Sequence, residues 1–135
     1  MLYVVMVKII LLVILGTFFI LNGVNHVFNT RTYEAYARKR RLIAPLVMVR
    51  FSGGALIAGG LSLILGAFGW IPGFLMLAGI AGLGLFLVIA SFYMHQFWTE
   101  SDPELRMMES MHFAKNVAIL TELVYIATSF PGLLT

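Results

Sequence analysis

The chain contains no cysteine among its 135 residues. That excludes disulfide exchange, thiolate ligands and thioether-linked haem from what the chain supplies by itself. Charge is also scarce, at 11% of residues, against roughly 25% in an average soluble domain. With 61% hydrophobic residues and a mean hydropathy of +0.97, too little polar surface remains to cover a water-soluble fold of this size. No linker or hydrophilic stretch leaves room for a separate soluble module, so residues 1–135 read as a single domain. The net charge of +3 does not point to nucleic acid, because the basic residues are gathered in one short connection rather than spread along a face.

What the sequence has instead is four apolar blocks, about residues 3–28, 45–70, 71–98 and 111–134. Each meets the roughly 20 residues that carry a helix across a bilayer core. The predicted fold is all-α, an integral membrane four-helix transmembrane bundle. The first block lacks a basic leading region and a small-residue cleavage site, and it outruns a signal-peptide core, so it reads as a retained helix.

Six of the nine basic residues, Arg31, Arg38, Lys39, Arg40, Arg41 and Arg50, fall between the first two spans or just inside the second. By the positive-inside rule the loop 30–44 is cytoplasmic and both termini lie outside. The third connection, with Glu100, Asp102, Glu104, Arg106 and Glu109, returns to the same side. Residues 33–41 have the composition of a short amphipathic helix on anionic headgroups, or equally of a solvated topology anchor. Gly53, Gly54, Gly59, Gly60, Gly79, Gly82 and Gly84 suit close helix contacts and permit a homodimer.

The candidate site comes from polar residues in otherwise lipid-like segments, where they are costly and usually functional. Asn22 and His26 end the first span and Arg50 begins the second. His95 ends the third, and His112, Lys115 and Asn116 begin the fourth. The up-and-down topology brings these ends to one membrane depth, and Glu122 lies deeper on the Lys115 face. Such a layer fits ligand binding and proton transfer, or equally a polar clamp that fixes helix register. No two histidines share a helical turn, and no metal site is expected.

The run His95-Gln96-Phe97-Trp98, followed by His112-Phe113-Ala114-Lys115-Asn116-Val117-Ala118, resembles the signature of the DoxX family of small four-helix membrane proteins. Residues 19–26 and the glycines of the second span look like the same pattern, so the resemblance covers nearly the whole chain. Thr121-Glu122 departs from it, because relatives often carry small residues there. The resemblance implies a prokaryotic cytoplasmic membrane and an accessory or quinone-binding subunit of an oxidoreductase system, with a redox partner protein. In that setting a histidine would bond a quinone carbonyl, Lys115 would stabilise negative charge, and Asn22 and Asn116 would orient the ring. The other class of function is a non-catalytic scaffold, or a membrane protein that binds lipid or cargo.

Overall fold

In the computed structural model, which describes residues 2–129, helices fill the apolar stretches and no strand forms among the described residues. Helix α1 spans Leu2–Phe28, α2 Thr30–Lys39, α3 Pro45–Ala67, α4 Gly73–Ile89 and α5 Pro103–Ser129. A π-helical turn at Ala90–Met94 and a single 3-10 turn at Phe97–Thr99 extend α4 towards the last loop. Three helical stretches, Leu2–Phe28, Pro45–Ala67 and Gly73–Thr99, are long and apolar enough to cross a membrane. Helix α5 has the length, with 27 residues, but is less apolar because Lys115, Asn116 and Glu122 interrupt it.

The outward faces are apolar. Ile10, Ile14, Leu21, Phe51, Phe74, Leu85, Val117 and Val124 are all exposed, a larger apolar surface than a soluble monomer presents. The inward faces meet in one core, in which Leu12 and Phe19 of α1 join Leu56 and Leu63 of α3, Ile80 and Leu83 of α4, and Leu123 and Ile126 of α5.

Two glycine pairs set the packing of α1 on α3. A β-carbon built on Gly16 would lie 2.6 Å from the carbonyl oxygen of Gly60, and one on Gly23 would lie 2.6 Å from that of Gly53. Both pairs are seven residues apart on their helices, so each falls on one face, and the backbones run antiparallel in direct contact. Gly54 and Gly82, also expected at helix contacts, have nothing within 4 Å of a built β-carbon. The seam needed Gly16 and Gly23, which the composition of α3 alone does not reveal.

Helix α3 packs next on α4, and α4 on α5, while α1 and α5 stand apart across a groove of about 590 Å³ lined by Lys8, Phe18, Ile119 and Glu122. Of the expected four-helix transmembrane bundle, the structure shows three helices long and apolar enough to span a membrane.

Two helix ends close in the same way and with different residues. After α3, Trp70 N–H donates to the Leu65 carbonyl and Gly69 N–H to Gly66, with Gly69 at φ 69°. After α2, Leu42 N–H donates to Ala37 and Arg41 N–H to Arg38, but the left-handed position is held by Arg41 at φ 56°. Glycine takes that position at little cost, whereas a side chain there is strained.

Helix α5 begins eight residues before the expected fourth span. Asp102 Oδ1 accepts from the Glu104 N–H at 2.8 Å, its carbonyl accepts from Arg106 N–H at 2.9 Å, and Pro103 takes the first helical position. That cap and proline start the helix at the acidic loop and carry Glu109 into it. Residues 130–134 of the expected span lie outside the described residues.

Candidate functional site

The chemistry at the loop-side end of the bundle centres on Glu109. Its side chain is 4% exposed, because it lies on the same inward stripe of α5 as Asn116 and Leu123, at two-turn intervals. Oε1 accepts from the Tyr36 hydroxyl and from Arg40 Nη2 at 3.0 Å. Oε2 stands 2.7 Å from His95 Nδ1. With the carboxylate as acceptor, His95 donates from Nδ1.

Arg40, 8% exposed, also pairs with Glu100 at 2.8 Å, and its guanidinium lies 5.4 Å from the Tyr36 ring centre. The Tyr36 hydroxyl, with one proton to give, faces the Met94 carbonyl at 3.0 Å as well as Glu109. That carbonyl belongs to the π-helical turn, so α2 is bound at once to the end of α4 and the start of α5. Three side chains, Tyr36, Arg40 and His95, hold one carboxylate.

The electrostatics follow from burial and charge. Burial pushes the Tyr36 phenol up, the Glu109 hydrogen bond adds to it, and the result is about 12. Burial also favours the neutral form of Glu109, just before the apolar stretch 111–134. Hydrogen bonds from Tyr36 and His95 and the charges of His95 and Arg40 outweigh it and hold the carboxyl below its ordinary value. For Arg40 burial opposes the charge, and Tyr36, Glu109 and Glu100 more than offset it.

Behind this network His95 stacks on His112, ring centres 5.0 Å apart and planes 23° apart. In the same segments Phe92, Phe97, Trp98 and Phe113 pack on one another in edge-to-face and tilted contacts, with Phe113 5.5 Å from both Phe92 and Phe97. Asn116, 5% exposed, makes no side-chain hydrogen bond among the described residues. Lys115, next to it, is exposed on the outer face.

The single layer expected from the topology divides into separate groups. His95 and His112 meet, with Lys115 and Asn116 on the turn that follows. His26 does not join them. It stacks on Tyr33 at 3.9 Å and 18°, and its Nδ1 donates to the Asn22 carbonyl at 2.8 Å. The Asn22 amide is spent within its own helix on the Phe18 carbonyl. Arg50 is exposed at the start of α3, beside Arg31 rather than the histidines. Glu122 is exposed along the groove between α1 and α5, and it pairs neither with Lys115 nor with any other described residue. The three histidines form no group that could hold a metal ion among the described residues.

Glu109, Tyr36, Arg40 and Glu100 were all legible as loop residues rather than as a site. Two signals mark Glu109 in the sequence. It stands seven residues before Asn116, and Glu109-Ser110-Met111-His112 puts a carboxylate and an imidazole three apart on one helix face. Comparison with known proteins returned no matching family model, no matching curated protein and no matching solved structure.

Proposed function

We propose that the protein is an integral membrane protein in which α1, α3, α4 and α5 all cross a prokaryotic cytoplasmic membrane, the loop 30–44 facing the cytoplasm and both termini outside. In this reading it is a quinone-binding or accessory subunit of a membrane oxidoreductase system, of the DoxX kind that residues 95–98 and 112–118 resemble. A partner redox protein supplies the electrons.

The observation that carries the proposal is the 2.7 Å approach of His95 to Glu109 with His112 stacked on the same imidazole. A buried carboxylate, two imidazoles and a tyrosine form a chain of groups that hold and pass protons between the loop side and the interior. A bound quinone would supply two-electron, two-proton redox chemistry at the end of that chain. The side chains present fit such a headgroup. The amide of Asn116 makes no hydrogen bond to another described residue, His112 offers ring nitrogens, Lys115 supplies a positive charge, and Phe92, Trp98 and Phe113 give flat apolar walls.

The test is extraction of the protein in mild detergent and assay of the extract for quinone. The proposal expects copurifying quinone, and a higher melting temperature when a quinone is added. An extract free of quinone, with a melting temperature that added quinone leaves unchanged, contradicts it.

One observation favours a scaffold instead. The contacts of Glu109 are all internal, as expected of a clamp that holds α2 to the bundle. A scaffold predicts that Lys115→Ala and Asn116→Leu alter stability alone and leave the affinity of every quinone unchanged.

A further inference from the structure

The ion network uses Arg40, and Arg38 is tied to Glu34 at 2.6 Å on the outer face of α2. Arg31 and Arg50 have neither arrangement. Both line one cavity of about 630 Å³ at the corner where α1 hands over to α2 against the first turns of α3. Neither guanidinium makes an ion pair or side-chain hydrogen bond among the described residues. Two like charges in one recess repel each other unless an anion lies between them. Asn29 and Thr30 add polar groups to the wall. Its one carboxylate, Glu34, is already neutralised by Arg38. Helix α2 begins here with no acidic residue in its first turn, so no other described residue in the wall supplies the missing negative charge.

Part of the lining is apolar. Val27, 49% exposed, Phe28, 83% exposed, and Leu46 stand beside the two arginines in the same recess. A cationic recess edged by exposed phenylalanine and valine, at the ends of two helices long enough to span a bilayer, matches the phosphate and the first acyl carbons of a lipid. A small soluble anion would have no use for that rim.

We propose that this corner is a binding site for an anionic phospholipid, with Arg31 and Arg50 on its phosphate and the acyl chains along Val27, Phe28 and Leu46. It rests on the reading that α1 and α3 cross the membrane, and is independent of the quinone assignment.

Native mass spectrometry of the full-length protein in mild detergent, titrated with phosphatidylglycerol or phosphatidylcholine, tests it. The wild type should retain one phosphatidylglycerol in preference to phosphatidylcholine. The double variant Arg31→Gln with Arg50→Gln should bind that lipid about thirtyfold more weakly. Lys39→Gln with Arg41→Gln, which removes the same charge from the neighbouring surface and leaves the Arg38–Glu34 pair in place, should change it little, and glycerol phosphate should not displace the lipid. Equal loss in both double variants would show diffuse surface charge and overturn the site. Displacement by glycerol phosphate or inorganic phosphate would show a soluble-anion site and overturn the lipid assignment. Insertion of every variant into phosphatidylcholine nanodiscs checks the membrane reading separately, since a protein that stays out of them refutes that premise and the site together.

Discussion

His95 and Glu109 are joined through Nδ1 and Oε2 at 2.7 Å, across the loop that separates α4 from α5. Because Tyr36 and Arg40 of the α2 region meet the other oxygen of the same carboxylate, three chain segments depend on one side chain.

Removing that carboxylate should therefore loosen the loop-side end as a unit. Glu109→Gln leaves Arg40 buried with Glu100 as its remaining anion, and the expected loss is about 3 kcal/mol. Arg40→Gln should cost a similar amount, and the double variant less than the sum, because each single change strands the other partner. Next to it in sequence, Arg41→Gly should be neutral or stabilising by about 1 kcal/mol, since it relieves a left-handed backbone at φ 56°. Thermal unfolding in detergent, followed by helical circular dichroism, measures all four. Equal effects at positions 40 and 41 would contradict the network.

The network should also shape stability against pH at both ends. The ionisation of Tyr36 is raised from 10.0 to about 12 in the folded protein. Its contribution is whole below pH 10 and is lost as pH rises from there through 12. Glu109 is lowered from 4.5, so its contribution is whole above that value and is lost as pH falls through the folded-state value. Tyr36→Phe should flatten the alkaline limb and remove a tyrosine that ionises at about 12 from an absorbance titration. Glu109→Gln should flatten the acid limb. Limbs that match the wild type in these variants would place the titrating groups elsewhere.

The glycine seam gives a contrast within one residue type. Gly16→Ala and Gly23→Ala push a methyl into the backbone of α3 and should destabilise by about 1–3 kcal/mol each. Gly54→Ala and Gly82→Ala meet nothing within 4 Å and should be neutral or slightly stabilising, because alanine is the better helix former. Melting temperatures of the four variants decide it, and a similar fall in all four would rule out direct backbone contact between α1 and α3.

The helical class and the apolar stretches could be read from the sequence because long hydrophobic runs have few alternatives to helix. The meeting of His95 with His112 followed from topology, since the end of one helix and the start of the next share a level. The rest depended on lateral placement, which run length does not encode. His26 and Arg50 share the level of His95, yet α1 and α3 carry them to other sides of the bundle. Glu109 was hidden because an acidic loop ordinarily faces water. Asp102 and Pro103 capped a helix through it, and the stripe shared with Asn116 and Leu123 turned it inward. Arg40 looked like a topology charge for the same reason, and only its contact with a buried carboxylate marks it out.

Under the quinone-binding proposal, the end of the bundle around His95, His112, Lys115 and Asn116 receives a quinone headgroup. Trp98 reports on it directly, once Trp70→Phe removes the other tryptophan at the far end of α3. Fluorescence of that variant, titrated with a short-chain quinone, should show saturable quenching. Lys115→Ala and Asn116→Leu should each weaken the midpoint by roughly tenfold, the loss of about one hydrogen bond to the headgroup. Quenching that never saturates and is identical in all three proteins would contradict the claim.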